Sequence, residues 1–311
     1  MREFIEEISR ILELPTDLLE KDFILHRILL SLSKTKFAEE FAFKGGSCLI
    51  KHYLGYYRFS IDLDFTFVNQ SIFKGLSQKS IRRLLSEKID SIGTLFEHIS
   101  EKIDLEFKCN KSDKRYVELG GGNKFLTFKL WFHSILGPKT FVKIQINFLE
   151  DIVFPIKEVR LKSICPKSEK LDFLFQRLYR DYRELISFKV YDIREILCEK
   201  IRAILTRRGL KERDFIDVYM IFKNFNLSYK SLEKETLRKL KFILKLYQKY
   251  RRNLKDKIPI LTIENLQLGS ERYLLITKID ENDFYLFLND FISWLRKPAK
   301  IALKDSAINS Q

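Results

Sequence analysis

The chain has 311 residues, enough for one large domain or two ordinary ones, and 45% of them are apolar, as in globular proteins. Its 57 Lys and Arg outnumber 42 Asp and Glu, and the formal net charge of +15 fits a polyanionic partner such as RNA or DNA. No run approaches the roughly 18 apolar residues of a membrane helix. The acidic N-terminal segment also lacks the basic and apolar regions of a signal peptide. These features predict a cytoplasmic protein without membrane contact.

The cysteines and histidines give no sign of a metal site. The four cysteines are scattered without a C-x-x-C pair, and the four histidines are equally dispersed. This usage is typical of ordinary buried thiols and packed imidazoles, not of a zinc site or a disulfide framework.

The first half of the chain alternates helical and strand patterns. Apolar residues at helical spacing predict helices over 18–34, 47–53 and 77–99. Alternating or continuous apolar runs, separated by glycine-containing turns, predict strands over 41–44, 61–68, 105–109, 125–132 and 140–148. This order predicts an α+β core with a small mixed β-sheet.

The second half changes to helix. Helical periods cover 192–208, 214–225, 232–251 and 283–295. We therefore expect a nucleotide-handling core with N-terminal helices over 1–188, a helical domain over 189–300 and a loose tail over 301–311.

Two neighbouring features of the first half point to phosphate and metal chemistry. Gly45, Gly46 and Ser47 form a small-residue turn before a helix, where backbone amides and a hydroxyl can approach phosphate. Asp62 and Asp64 are two residues apart on a predicted strand, so both carboxylates lie on one face. Paired carboxylates repel unless a cation lies between them, which predicts a Mg²⁺ site.

A second set of residues lies in the helical half. Projected as a helix, 192–208 places Lys200 inside its apolar stripe, where a lysine must either extend to solvent or meet a carboxylate or phosphate. Asp214 and Asp217 follow at i, i+3 on one helical face. Acids at a helix start are often plain capping partners, so taken alone they do not decide between the two interpretations.

In combination, these pieces resemble the AbiEii/AbiGii toxin family of nucleotidyltransferases. The matching segments, in chain order, are Glu20-Lys21-Asp22-Phe23, Phe43-Lys44-Gly45-Gly46-Ser47, Arg58 to Phe65, Glu199 to Leu205 and Arg213 to Asp217. The resemblance runs from about residue 15 to 225 and leaves the last third of the chain unaccounted for.

The resemblance implies a polymerase-beta-like nucleotidyltransferase fold whose helical C-terminal part completes the active site. It also implies a toxin of a toxin–antitoxin or phage-defence pair, in which characterised members add nucleotides to tRNA 3′ ends. The expected partners are a nucleoside triphosphate, an RNA acceptor such as tRNA, and an antitoxin protein. By analogy, Gly45, Gly46 and Ser47 bind the triphosphate and Asp62 and Asp64 hold Mg²⁺. Lys200 then contacts phosphate, and Asp214 or Asp217 completes the site.

One departure from the usual pattern concerns a third carboxylate on a later strand. The best candidate strand, 142–148, offers only the amides of Gln145 and Asn147. An amide oxygen can coordinate a metal but cannot accept a proton. The third position is therefore either without an acid or filled by Asp214, Asp217, Glu106 or Glu150.

Several accessory roles stay open in the sequence. Arg58 fits either phosphate binding or a salt bridge to the aspartates, and Tyr56 and Tyr57 fit either base stacking or the core. The basic stretch 239–257, or the arginines Arg177, Arg180 and Arg183, fits either an RNA-binding surface or a solvated helix face.

Two other functions remain compatible with the residues. One is a non-catalytic nucleic-acid-binding protein that keeps the fold, which the missing third acid suggests and the retained Asp62 and Asp64 oppose. The other is a transferase that nucleotidylates a protein hydroxyl, although the charge of +15 favours a polyanionic acceptor.

Overall fold

The computed structural model describes residues 1–266, 268–269 and 271–308, and the side chains of these except 306–308. The chain divides into two compact units. Unit 1 comprises Met1–Glu150 and Ile156–Tyr191, and unit 2 comprises Asp151–Pro155 and Asp192–Gln311. The backbone therefore passes between units three times, and the short segment Asp151–Pro155 belongs to the second unit, not to the core in which the sequence placed it.

Unit 1 is built on one seven-stranded mixed sheet with helices. Its strands are β1 (Phe41–Lys44), β2 (Asp62–Phe67), β3 (Val117–Gly120), β4 (Phe125–His133), β5 (Lys139–Asn147), β6 (Lys157–Leu161) and β7 (Ile186–Val190). Its helices are α1 (Arg2–Leu12), α2 (Thr16–Leu32), α3 (Phe37–Glu40), α4 (Gly45–Cys48), which continues as a π-helix over Leu49–Tyr53, α5 (Gln78–Lys102) and α6 (Glu169–Arg183). This confirms the predicted α+β class with a mixed sheet.

The strand order is β3-β4-β5-β2-β1-β7-β6. β2 lies between β1, to which it is antiparallel, and β5, to which it is parallel. The strand that begins with the aspartates is thus central in the sheet, and its neighbours fix what surrounds them.

The two faces of the sheet differ in polarity because the strands alternate. Leu63 and Phe65 of β2 are fully buried, and Phe65 joins a cluster of rings that includes Phe37 and, through it, Phe96 of α5. Asp62 and Asp64 point to the other face and are only half-buried. The apolar face anchors β2, and the polar face stays accessible for chemistry.

Unit 2 is helical, as the sequence predicts. Its helices are α7 (Ile193–Thr206), α8 (Glu212–Phe225), α9 (Glu233–Leu246), α10 (Gln248–Ile260) and α11 (Glu281–Ile308). The segment 151–155 is held here because the Glu195 carboxylate of α7 accepts hydrogen bonds from the backbone N–H groups of Val153 and Phe154 at 2.9 and 2.8 Å. Among the described residues, no helix has the length and apolar character that a bilayer span requires.

Three expectations from the sequence were wrong in detail, and one region was left without a prediction. Residues 105–109 form only an isolated bridge, Glu106 to Trp131, and the strand that pairs with β4 is β3. The predicted helix 232–251 is two helices, broken at Tyr247 where the backbone is extended. α11 continues to Ile308, past Lys300, where a loose tail was expected. No elements were predicted between 150 and 190, yet β6, α6 and β7 lie there.

Candidate active site

The turn between β1 and α4 is shaped by close contacts that only glycine allows. Gly45 has a φ of 74°, and a Cβ built on it would lie 2.2 Å from Oδ2 of Asp64. A Cβ on Gly46 would lie 2.5 Å from Nη2 of Arg58 and 3.0 Å from Oγ of Ser60. The two glycines therefore let a carboxylate and a guanidinium pack directly on the backbone of the turn.

Ser47 attaches this turn to the strand of the aspartates. Its side chain is fully buried, and its hydroxyl donates a hydrogen bond to the backbone carbonyl of Asp62. Since that hydroxyl has a single proton, its donor capacity is used within the protein. Ser47 thus holds the Gly-Gly turn and the Asp62–Asp64 segment in one geometry.

The register of the sheet places polar residues on both sides of the two aspartates. Lys44 of β1 is the antiparallel partner of Asp64. On the parallel neighbour β5, Lys143 is level with Asp62 and Gln145 with Asp64. Residues in register share a face, so two lysines and one amide flank the two carboxylates.

Gln145 therefore occupies the position beside Asp64 on the neighbouring strand. Asn147 is level with Thr66, one pair further on, and its amide donates to Glu150 at 3.0 Å. Glu106 bonds to Tyr116 and Lys139 and bridges to Trp131 of β4, which is not adjacent to β2. In register with Asp64, β5 supplies an amide in place of an acid.

Arg58 and Tyr57 lie in the interior of unit 1, and Tyr56 before them is half-buried. Arg58 is 3% exposed, donates to the carbonyl of Phe59 at 2.7 Å and lies 5.6 Å from the ring centre of Tyr57. Tyr57 is itself buried. The hydroxyl of Tyr56 donates to the carboxylate of Asp22 at about 3 Å. For both tyrosines the structure favours the core over base stacking.

In unit 2, Lys200 pairs with Asp214 and Asp217, two residues that the sequence had assigned to the site but not to Lys200. Its ammonium lies 3.0 Å from Oδ1 of Asp214 and 2.6 Å from Oδ2 of Asp217, and Arg207 pairs with Asp214 at 2.8 Å. Both aspartates are buried, whereas the side chain of Lys200 is 12% and that of Arg207 51% exposed. Burial alone would raise the pKa of Asp214, but the cations Lys200 and Arg207 hold it below its ordinary value.

Lys257 adds a further cation to this region. It is buried, its ammonium donates to the carbonyl of Gly209, and burial lowers its pKa to about 8 although Asp214 acts in the opposite direction. Lys239 is also fully buried, bound to Glu195 and to the carbonyl of Asp151. The two ends of the predicted basic stretch 239–257 are thus interior residues, not parts of a surface.

A family profile described as nucleotidyl transferase AbiEii toxin, type IV toxin–antitoxin system, matches residues 27–299. The chain belongs to the AbiEii family. The match includes most of the last third of the chain, which the resemblance in the sequence had left out. No curated protein sequence matches the chain.

Two solved structures are similar to this AbiEii protein. The nucleotidyltransferase toxin MenT4 of Mycobacterium tuberculosis H37Rv aligns with a TM-score of 0.54 and 16% identity, over 98% of this chain and 99% of that one. An antigenic nucleotidyltransferase-like protein of Paracoccidioides brasiliensis aligns with a TM-score of 0.30 and 14% identity, over 90% and 92%. The first alignment shows a shared fold. The TM-score of the second is too low to show one.

The residues of this AbiEii chain fit a Mg²⁺ ion at the polar face of β2. Two carboxylates on one face, with an amide oxygen beside them, form the hard oxygen donor set that Mg²⁺ prefers, completed in such sites by water and substrate phosphates. Within the described residues, no group of three or more His, Cys, Asp and Glu side chains could hold a metal. That result agrees with the sheet register, which places the amide of Gln145, and not a third carboxylate, beside Asp64.

Sequence reasoning missed two residues of this site, Lys44 and Lys143. Lys143 precedes Gln145 by two positions, so strand alternation alone places it on the same face. Lys44 ends β1, is 8% exposed and lies 5.3 Å from the ring centre of Tyr191. Only the register of the antiparallel pair shows that it faces Asp64.

Proposed function

We propose that this AbiEii toxin is a Mg²⁺-dependent nucleotidyltransferase that transfers a nucleoside monophosphate from a triphosphate to the 3′ end of an RNA, with tRNA as the expected acceptor. It would act in the cytoplasm and be countered by an antitoxin. The observation that carries the proposal is the pair Asp62 and Asp64 on the open face of β2, with the Gly45 backbone directly against the second carboxylate.

The reaction is an in-line displacement at the α-phosphate. The oxygen of the RNA 3′-hydroxyl forms a bond to the α-phosphorus and its proton passes to solvent water, while the bond to the bridging oxygen breaks and pyrophosphate leaves. Asp62 and Asp64 would hold Mg²⁺, which supplies neutralisation of the charge on the phosphate oxygens. The remaining work of this chain is to position the reactants and to stabilise negative charge.

The proposal assigns a role to the polar residues around β2 in unit 1 and, separately, to Lys200 and its partners in unit 2. Lys44 and Lys143 flank the carboxylates in register and offset the negative charge that a triphosphate brings. The backbone of Gly45 and Gly46, held by Ser47, leaves room for a phosphate group to approach the turn. We assign Lys200 to phosphate, and Asp214 and Asp217 to holding Lys200, since the two carboxylates lie 3.0 and 2.6 Å from its ammonium.

Gln145 restricts the mechanism. Its amide lies in the position level with Asp64 and cannot accept the proton of the attacking hydroxyl. The proposal therefore does not depend on a general base on β5. Phosphoryl-transfer enzymes reach large rate enhancements through positioning and electrostatic stabilisation, so an amide at this place is compatible with turnover.

The test is a labelling experiment with the purified chain, Mg²⁺, each α-³²P-labelled triphosphate, total RNA and a protein extract. We expect label in RNA, lost by at least about 1,000-fold in Asp62→Asn and in Asp64→Asn, because each removes a charged oxygen donor from the site. Asp90→Asn is the matched control, since this aspartate is 63% exposed on α5 and should leave labelling unchanged.

The other outcomes separate the alternative functions. Label in protein rather than RNA would identify a protein nucleotidyltransferase. RNA binding without any labelled product, or equal labelling by wild type and by the Asp62 and Asp64 variants, would contradict the enzyme proposal and favour a non-catalytic RNA-binding protein.

A further inference from the structure

The exposed side of α9 and the 3₁₀ turn Tyr229–Leu232 that precedes it carry a row of cations. Lys230, Lys234, Arg238, Lys241 and Lys245 succeed one another at spacings of four, four, three and four residues, and all five are exposed. Side chains at i, i+4 and i+7 share one helix face. At 1.5 Å per residue, the four cations from Lys234 to Lys245 on α9 span about 17 Å. We call these five residues the α9 ridge.

The α9 ridge is rigidly supported from the other side of the helix. Leu240, Ile243 and Leu244 are buried, at 0–2% exposure, and Lys239 is fully buried against Glu195. Because that face is fixed in the interior of unit 2, the ridge residues must point to solvent. Their spacing is therefore a property of the fold and not of a mobile loop.

A cleft of about 700 Å³ lies along the ridge. Four of the five cations line it, together with Ser231, Glu233 and Leu237. Its lining therefore has four cations and one carboxylate, with a hydroxyl donor and a single apolar side chain. Such a surface suits an anion with many charged oxygens better than an apolar peptide or the acyl region of a membrane.

The ridge keeps an excess of positive charge after its own ion pairs are counted. Lys230 pairs with Asp290 at 2.8 Å, Arg238 with Asp151 at 2.6 Å and Lys241 with Asp305 at 2.6 Å. In the part of the chain that the structure describes, Lys234 and Lys245 form no ion pair. Three carboxylates therefore face five cations, and the pairs of Lys230 and Lys241 are exposed enough to exchange for other anions.

We propose that the α9 ridge binds the phosphate backbone of the RNA acceptor. This inference rests on the proposed function, because it supplies the acceptor surface for that reaction. A row of cations one helical turn apart matches a ligand with regularly repeated charges, which a nucleic-acid strand has and a single phosphate group lacks. The ridge reads no bases, so it contributes affinity rather than sequence preference.

The test measures binding of a fluorescein-labelled 15-nucleotide oligouridine to the full chain carrying Asp62→Asn, without triphosphate or Mg²⁺, between 50 and 400 mM KCl. We compare the parent with the added triple change Lys234→Gln, Lys241→Gln and Lys245→Gln. Each lost phosphate contact lowers the slope of log affinity against log salt by about 0.7, so the triple change should lower it by about 2 and weaken binding about 100-fold at 0.1 M salt.

The matched control removes the same three charges elsewhere. Lys74, Lys79 and Lys114 are exposed residues of unit 1, and their change to Gln should leave the slope and the affinity nearly unaltered. Equal weakening by both triple changes would show a general charge effect and overturn the proposal. So would binding of the ridge to phosphatidylserine vesicles with no affinity for the RNA.

A kinetic readout separates the ridge from the proposed reaction. In the chain with Asp62 intact, the ridge variant should raise KM for RNA without changing KM for the triphosphate or kcat. If no transfer occurs but the ridge variant still loses RNA affinity, the proposed function is contradicted, whereas RNA binding by the α9 ridge is supported. If transfer occurs and its KM for RNA is unaffected by the ridge variant, the ridge proposal fails alone.

Discussion

Lys51 of unit 1 and Lys200 of unit 2 each lie on a helix and pair with aspartate, but their surroundings differ. Lys51 and Asp22 are completely buried, 2.8 Å apart, and the hydroxyls of Tyr56 and Tyr182 donate to the same carboxylate. Lys200 is partly exposed and sits between two carboxylates, with Arg207 as a second cation. The Lys51–Asp22 pair is sealed, which here means that neither side chain is accessible to solvent. In the second pair, the cations Lys200 and Arg207 remain partly accessible to water.

The difference separates a structural ion pair from a functional candidate. The ammonium of Lys51 is enclosed by Asp22 and Tyr56 and has no access to a ligand. Burial lowers the pKa of Lys51, and the nearby Asp22 carboxylate opposes that shift. The side chain of Lys200 is instead partly exposed, while its partners Asp214 and Asp217 are buried. A lysine that is to bind phosphate needs such access to solvent.

The largest effect on stability is expected from breaking the sealed pair. Lys51→Met leaves the Asp22 carboxylate buried without its cation, and we expect a loss of about 3–5 kcal/mol in the free energy of unfolding, measured by urea denaturation. Arg83→Met on α5 is the control, because its pair with Glu87 is 85% and 64% exposed and should contribute little. Similar losses in both variants would contradict the distinction between sealed and open pairs.

Compared with Lys51→Met, Lys200→Met should lower the free energy of unfolding less and the transfer activity more. Arg207 still pairs with Asp214, and Lys200 is 12% exposed, so we expect a loss of about 2–3 kcal/mol. Transfer by the folded fraction should fall by at least about 100-fold, while the folded fraction of Lys51→Met stays within about tenfold of wild type. The transfer rate and the urea denaturation of both variants are measured in parallel. A larger loss of transfer in Lys51→Met than in Lys200→Met would assign the functional role to Lys51.

The sealed network also predicts a pH dependence. His26 is buried beside it, and burial, followed by the Lys51 cation, lowers its pKa to about 3 from 6.5. Between those values the unfolded chain binds a proton that the folded chain does not. The contribution of neutral His26 to the free energy of unfolding is therefore complete above pH 6.5. It falls as the pH drops, and at pH 5 it is lower by about 2 kcal/mol.

Denaturation of the wild type and of His26→Leu at pH 5 and pH 7.5 measures this contribution. The variant should lose about 2 kcal/mol less between the two pH values, while the exposed His133→Gln should behave like the wild type. An unchanged pH dependence in His26→Leu would show that the imidazole is protonated inside the folded protein.

The sequence predicted what local patterns determine. Lys200 was found because α7 is a regular helix, so its position within the apolar stripe could be projected, and its partners follow within one loop. Lys51 was not found because it lies in the π-helix Leu49–Tyr53, to which the 3.6-residue period does not apply. Its carboxylate partner Asp22 also lies 29 residues before it, and the hydroxyl of Tyr182 that donates to Asp22 comes from far along the chain.

The same limit applies to the candidate active site. Alternation on β2 paired Asp62 with Asp64, but the approach of Lys44 and Lys143 depends on which strands are neighbours and on their register. Strand order here follows from long-range pairing, β5 beside β2 and β7 beside β1, which no local pattern encodes. In the region 150–190, β6 was missed because three of its five residues are charged, whereas the alternation of Ile186, Phe188 and Val190 in β7 is a local signal that was overlooked.

The segment 151–155 has a consequence for the synthesis of this protein. On the ribosome it emerges before α7 and α9, yet Glu195 of α7 and Lys239 of α9 hold its backbone. Unit 2 therefore cannot finish folding from its own continuous stretch of chain. A fragment that starts at Asp192 would leave the Glu195 carboxylate without the backbone N–H groups of Val153 and Phe154. Residues 151–155 must therefore be included when the helical unit is produced separately.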